Sequence, residues 1–446
     1  MALGLYISVP FCKTKCSYCN FASDVFSKSA YENYVARVIE DICGAHVMAS
    51  GLGCSVDETV DSIYLGGGTP SILDDAQLLR IFQAVRQQFT VTPDAEITVE
   101  CAPGTLTPAL IETLRRCRVN RVSLGVQSFV DREAQAVGRL HKRETVHTEV
   151  KRLREAGLEN INIDLIAGLP HQTAESWTFS LAETLALGAP HASVYMLEVD
   201  EDSRLGRELI AGGTRYHAHF VPNDEATADF YEQACATLNA GGIAQYEISN
   251  FARAGAESRH NLKYWTRQPY IGFGVDAHSM LLRSEGEPAA KVSDDSRVLT
   301  SGLKRCATQN QNGNQSQHAT ESELRNVRTR GVRFATPDSL EAYMNRVSHT
   351  VTPLSTHAAI EESFFLGLRL NRGVDRERLR SEFGAESIAA FDSVIGECER
   401  EALTERAGET VRLTSRGRLL SNEVFANFLG LESWEAEDST RNVNPR

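Results

Sequence analysis

From residue 3 to about residue 250 the chain alternates between two hydrophobic rhythms. Short apolar runs of strand length are LGLYISV (3–9), SIYLGG (62–67), EITVEC (96–101), RVSLGV (121–126), NINIDLI (160–166) and ASVYMLEV (192–199). Between them lie stretches such as SAYENYVARVIEDI and DAQLLRIFQAVRQQF. There, apolar residues recur every three or four positions, the spacing of a helix with one buried face. Repeated strand–helix units predict an α/β fold, a parallel sheet covered by helices. Six such units suit a partial (βα)6 barrel spanning about residues 1–250. A further helix is expected over ATADFYEQACATLNAGG, and residues 251–354 are expected to extend the barrel.

The pattern breaks at residues 283–330, which are polar and rich in Gln, Asn and Ser. Such a stretch buries too little apolar surface to order itself, and a flexible insertion is expected. Residues 355–430 then read as helix, helix, two-stranded hairpin and closing helix, a winged-helix-like α+β module. A structural or docking role is favoured for it over DNA binding. The polar end, residues 431–446, is expected to be a disordered tail.

Composition narrows the function. The 446 residues are 42% hydrophobic with a net charge of −13. Such an acidic chain argues against nucleic acid as a partner. No apolar run has the length of a membrane span. The first residues, MALGLYISVPFCKTKC, lack the features of a signal peptide, so a cytoplasmic location is expected. This leaves room for peripheral membrane association. Of ten cysteines, Cys43, Cys54, Cys101, Cys117, Cys235, Cys306 and Cys398 are scattered and read as free thiols.

The other three stand together, in Pro10-Phe11-Cys12-Lys13-Thr14-Lys15-Cys16-Ser17-Tyr18-Cys19-Asn20-Phe21, directly after the first strand. Three thiols so close can share one centre if the loop curls, and thiolates suit zinc or an iron–sulfur cluster. Structural zinc sites close with four ligands, and no second knuckle is visible. A [4Fe–4S] cluster held by three cysteines would leave one iron open. Gly66-Gly67-Gly68-Thr69-Pro70 closes the second strand, where glycines let a ligand approach the backbone. Glu100, Gln127 and Asp164 fall at or near the C-terminal ends of successive strands, the face on which βα barrels build active sites. Each alone could equally be a satisfied structural group. Arg139, in VGRLH, is a candidate partner for a carboxylate.

The spacing C-x3-C-x2-C, with Tyr18 before the last cysteine, resembles the radical-SAM superfamily. That resemblance implies that Cys12, Cys16 and Cys19 hold a [4Fe–4S] cluster whose open iron chelates S-adenosylmethionine (SAM). It also implies an outside one-electron donor. YISVPFCKTKCSYCNF, YLGGGTPS, EITVECAPGTL, RVSLGVQSF, GRLH, NINIDLIAGLPHQT and HNLKYW together are similar to the HemN/HemW branch. By that likeness Tyr6, Gly67, Gly68, Thr69, Glu100, Gln127, Arg139 and Asp164 line the SAM site.

Oxygen-independent coproporphyrinogen III oxidases of this branch carry another cysteine two residues beyond the third, where this chain has Phe21. They also carry a longer segment before the cluster. Both differences resemble the HemW type. That implies a haem chaperone handing haem to recipients such as respiratory enzymes. Oxidative decarboxylation of coproporphyrinogen III, or radical methyl transfer or cyclopropanation, are the enzymatic alternatives. The likeness implies haem contact at His260, Asn261, Tyr264 and Trp265, with His278 a weaker candidate. The insertion and the stretch 201–224, with His217 and His219, depart from the family pattern. They leave the choice of partner open.

Overall fold

The computed structural model describes residues 1–283 and 329–430. Cys306, nearly all of the expected insertion (284–328) and the expected tail (431–446) lie outside the described residues. The described residues form two compact units, a first that runs through residue 353 and a second that includes residues 354–430.

In the first unit the expected strands form: β1 (Leu3–Val9), β2 (Thr59–Gly67), β3 (Thr90–Cys101), β4 (Arg121–Gln127), β5 (Asn160–Ala167) and β6 (His191–Met196). They pair in chain order and all in parallel. Helices between them include Lys28–Cys43, Asp75–Gln88, Pro108–Arg116, Arg143–Glu155 and Ala174–Ala186. Their starts are fixed locally. Asp74 accepts from the Gln77 backbone at 2.8 Å while the Gln77 side chain accepts from the Asp74 N–H at 3.1 Å, a reciprocal cap.

The sheet continues at both edges. Beyond β6 lie β7 (Ala244–Gln245) and β8 (Asn250–Ala252), with β8 antiparallel to β6. Beyond β1 lie β9 (Tyr270–Phe273), β10 (His278–Leu282), β11 (Thr329–Ala335) and β12 (Thr350–Ser355). β9 is parallel to β1, and β10 runs antiparallel to both its neighbours.

The two faces of the parallel strands differ as period-2 alternation requires. Leu3, Leu5, Ile7 and Val9 of β1, Val122 and Leu124 of β4 and Ile161, Ile163 and Leu165 of β5 are fully buried. The alternate residues line the other, inner face and are polar or aromatic: Tyr6, Tyr64, Glu100, Ser123, Asn162, Asp164, His191 and Ser193. This polar inner face positions the candidate site.

The second unit has its own aromatic core. The Phe364 ring stacks on Phe391 at 4.8 Å and on Phe428 at 5.2 Å. The first helix of the unit spans Thr356–Gly367. Gly373 lies in a left-handed turn (φ 73°) where a Cβ would stand 2.3 Å from the Val411 carbonyl. Val374–Asp375 then pair with the hairpin Thr404–Ala407/Thr410–Leu413. The closing helix is broken at Leu420 into Ser415–Leu419 and Ser421–Ala426.

Candidate functional site: a cysteine loop at the barrel mouth

The cysteine loop leaves β1 at Val9 and is pinned on three sides. The Gly68 N–H donates to the Val9 carbonyl at 2.9 Å, and that of Thr69 to Phe11 at 2.8 Å. The approach is too close for a side chain. A Cβ on Gly68 would stand 2.7 Å from the Val9 oxygen and 2.8 Å from that of Phe11. The Cys12 N–H donates to Asp24 at 3.0 Å, closing the neck of the loop. Its far side hangs on the turn before Arg139. There Ser17 N–H reaches Val137 at 3.1 Å, and the Thr14 hydroxyl reaches the Gly138 carbonyl at 3.2 Å.

Cys16 is buried, Cys12 and Cys19 are half-buried, and none is in a disulfide. Each sulfur has a polar neighbour. The Thr69 hydroxyl donates to Cys12 at 3.6 Å, Arg139 Nη1 donates to Cys16 at 3.7 Å, and the Ser23 hydroxyl lies 3.9 Å from Cys19. Burial pushes the Cys12 and Cys19 thiols up. A bound metal centre reverses that and holds thiolates. Among the described residues no three His, Cys, Asp or Glu side chains gather on a point where a single ion would sit. A cluster asks for something else, because each thiolate takes its own iron. The three thiols, with donors beside their sulfurs, fit such a cluster.

The residues expected around SAM surround the mouth beside this loop. Gly67 is left-handed (φ 96°), and a Cβ there would lie 3.4 Å from the Tyr6 hydroxyl. Its N–H donates to Glu100 at 3.2 Å, and the Tyr64 hydroxyl donates to the same carboxylate at 2.8 Å. Burial, helped by the charge of Asp164 and opposed by the Tyr64 bond, raises the Glu100 pKa to about 7. Asp164 accepts from Ser123 at 2.9 Å and from Asn162 at 2.7 Å, and burial holds its pKa above the usual range.

Gln127 sits at a bulge in the β4–β5 pairing with a left-handed φ of 69°. Strain of this kind in a non-glycine residue concentrates at functional sites. Arg139 donates to the Gly125 carbonyl as well as to Cys16, so it ties this bulge to the cysteine loop. Gly125 leaves it room: a Cβ there would lie 3.0 Å from Arg139 Nη2 and 3.1 Å from Gln127 Nε2. The contact between Arg139 and the cysteine loop was invisible in the sequence, as were Tyr64, Ser123 and Asn162 as partners of the two carboxylates.

The HNLKYW segment is placed elsewhere. It is the short helix Arg259–Trp265, and Glu96 accepts the N–H groups of Arg259 and His260, both at 3.0 Å. His260 is fully buried. Its Nδ1 pairs with the Ser62 hydroxyl at 3.0 Å and its Nε2 with the Tyr264 hydroxyl at 2.7 Å. Burial lowers its pKa to about 3, so the ring is neutral and both nitrogens are engaged. Ser62 stands five residues before Gly67, in the N-terminal half of β2, and Lys263 of the same helix reaches the Ala2 carbonyl just ahead of β1, so this helix closes the barrel floor. Lys263, also buried, pairs with Asp61 at 2.8 Å and donates to the Ala2 carbonyl at 2.8 Å. Asn261, Tyr264 and Trp265 are half-buried, and the Tyr264 ring meets Tyr270 edge-on at 4.5 Å. The Tyr6 ring lies 6.1 Å from Tyr64 and 6.4 Å from His260, bridging floor and mouth. His278 lies near Asp276, 3.7 Å away.

Parallel βα units with three thiols at the C-terminal mouth of the barrel define the class: a radical-SAM barrel. The family model of the radical SAM superfamily matches residues 6–181, and that of the HemN C-terminal domain matches 354–420. The chain is 33% identical to the heme chaperone HemW of Bacillus subtilis over 95% of its own length and 98% of that protein. It is 34% identical to heme chaperone HemW of Escherichia coli over 64% of this chain and 71% of the other. The fold superposes on coproporphyrinogen III oxidase (HemN) from Escherichia coli with a TM-score of 0.73. That match has 22% identity and covers 96% of this chain and 90% of the other. The chain belongs to the HemW family. Its radical-SAM membership implies a [4Fe–4S] cluster and SAM. Among the described residues no helix is long and apolar enough to cross a membrane.

Proposed function

We propose that this protein is a haem chaperone. It binds haem and passes it to recipient haem proteins such as respiratory enzymes, on a core that carries a [4Fe–4S] cluster and SAM. The observation that carries this reading is near-full-length similarity to proteins named heme chaperone HemW. Phe21 supports it: the residue stands two positions past Cys19 and is 64% exposed, so the loop offers an apolar surface there and no fourth thiol.

In this reading Cys12, Cys16 and Cys19 hold the cluster. Tyr6, Gly67, Gly68, Thr69, Glu100, Gln127, Arg139 and Asp164 line the SAM site. The cluster and SAM, when bound, supply one-electron chemistry driven by an outside donor. The protein's own part is positioning. Gly67 and Gly68 bring backbone within reach of a ligand. Glu100, with its pKa near neutrality, accepts an ammonium group and is drawn to its ionised form by it. Arg139 carries a buried positive charge beside Cys16, suited to a carboxylate.

The rival reading is oxidative decarboxylation of coproporphyrinogen III; the fold neighbour HemN from Escherichia coli is a coproporphyrinogen III oxidase. The test is anaerobic reconstitution of the cluster, followed by separate offers of haem and coproporphyrinogen III with SAM and a reductant. Stable haem binding with no protoporphyrinogen formed is expected. Steady decarboxylation would overturn the chaperone reading.

A further inference from the structure

The turn that follows helix Asp131–Ala136 is laid against the far side of the cysteine loop. Gly138 is left-handed (φ 86°), and a Cβ there would lie 3.7 Å from the Cys16 Cα, so backbone rests on backbone. The Thr14 hydroxyl reaches the Gly138 carbonyl at 3.2 Å, and the Ser17 N–H reaches Val137 at 3.1 Å. Two residues beyond Gly138 stands Leu140, 70% exposed. The residue between them, Arg139, donates to the Cys16 sulfur at 3.7 Å. A single residue therefore joins the surface at Leu140 to a buried thiol of the cluster.

The chain carries a net charge of −13, yet this turn is edged with cations. Lys13, next to Cys12, and Lys142, just before helix Arg143–Glu155, are both exposed. Lys13 stands on the side of that helix, where its charge acts on Glu149. Among the described residues neither lysine ammonium has a hydrogen-bond or ion-pair partner. The carboxylates of residues 131–149 are mostly engaged. Asp131 accepts the Arg143 N–H at 2.8 Å, and buried Glu133 accepts from Ser128 at 2.6 Å. Buried Glu149 accepts from the Gly104 N–H at 3.0 Å and the Leu106 N–H at 2.9 Å. Glu144 is the exposed one. A lone exposed leucine is ordinary. Leu140 is not alone: it stands two residues from an unpaired lysine and one from the arginine that touches a cluster ligand.

We propose that this turn is the docking face of the one-electron donor, an acidic carrier protein. Its carboxylates meet Lys13 and Lys142, and the apolar surround of its redox group meets Leu140. The proposal rests on the cluster reading above and is independent of the haem reading. Charge and position argue for this occupant. Unpaired cations on an otherwise acidic chain steer an acidic partner to one place. That place lies over Cys16, while the residues of the SAM site line the inner face and leave the far side of the loop free. In the transfer the donor loses one electron and the cluster gains it, and no bond forms or breaks.

The test mixes reduced flavodoxin, an acidic one-electron carrier, with the reconstituted full-length protein in anaerobic stopped flow and follows the loss of cluster absorbance. Calorimetry with oxidised flavodoxin gives Kd separately. Lys13→Glu with Lys142→Glu is expected to lower the bimolecular rate constant and to raise Kd, each about tenfold or more at low salt. It should also remove the fall in rate that added salt causes in the wild type. Leu140→Asp should slow the reaction several-fold. Iron content, and reduction by dithionite, which needs no docking face, should match the wild type in every variant. Wild-type rate and Kd with flavodoxin in both variants would overturn the face. So would an equal slowing with dithionite, which would put the effect in the cluster itself. A wild-type protein that assembles no cluster would sink the cluster reading and the face with it.

Discussion

At the barrel floor, His260 has both ring nitrogens bonded, Lys263 is held by Asp61 and a main-chain carbonyl, and Glu96 caps two backbone N–H groups. At the mouth, three thiols face weak, long-range donors, Gln127 is strained, and Glu100 has a pKa pushed to about 7. Both ends are buried and polar. The floor satisfies its polar groups within the chain, which is how a fold is closed. The mouth keeps thiols with only long contacts, a strained Gln127 and a carboxylate raised toward neutrality, which is how a fold receives a ligand.

If that contrast holds, changes at the mouth should remove cofactors with little loss of stability, and changes at the floor should do the reverse. The largest expected effect is at the thiols. Ala at Cys12, Cys16 or Cys19 should abolish iron and sulfide uptake and the visible absorption of the reconstituted protein. Full retention by all three variants would break the account of the mouth.

Next comes Lys263→Met at the floor. Removing one partner of a buried ion pair should cost about 3 kcal/mol in chemical denaturation. Iron content per folded chain should stay at the wild-type value. A large loss of iron would mean that the two ends are not separable.

Gly68→Ala sharpens the boundary, because it is a mouth residue with a structural duty. Its Cβ would collide with the Val9 and Phe11 carbonyls. A cost of about 2 kcal/mol, together with weaker SAM binding by calorimetry, is expected.

The smallest effect concerns Glu100. Its pKa is raised in the fold, so between its unfolded value and about 7 the folded state holds the extra proton. Stability is then lost as pH rises through that window. Without SAM, Glu100→Gln should be more stable than wild type by on the order of 1–2 kcal/mol at pH 8, and by nothing from this source at pH 4. An advantage independent of pH would contradict the raised pKa.

Much of this was legible in the sequence. The six strands of the parallel core stand where the apolar runs do, because alternation of buried and lining residues is a local signal. The mouth residues were legible because the chain brings polar groups to successive strand ends. The floor was not. Nothing local in HNLKYW tells that His260 would meet Ser62, 198 residues away. The left-handed Gln127 was hidden because a bulge depends on the register of two strands. The closeness of Arg139 to Cys16 depends on a turn packed against the cysteine loop. Likewise His171 and His217, separated by 46 residues, pair only through tertiary structure.

The most direct measurement is haem handover. The reconstituted protein is loaded with haem, freed of excess, and mixed anaerobically with an apo haem protein while the Soret bands of donor and recipient are followed. The account predicts that the donor band decays as the recipient band grows, with haem transferred in proportion to the protein loaded. Haem retained by the donor, in a protein that instead turns over coproporphyrinogen III with SAM, would contradict it.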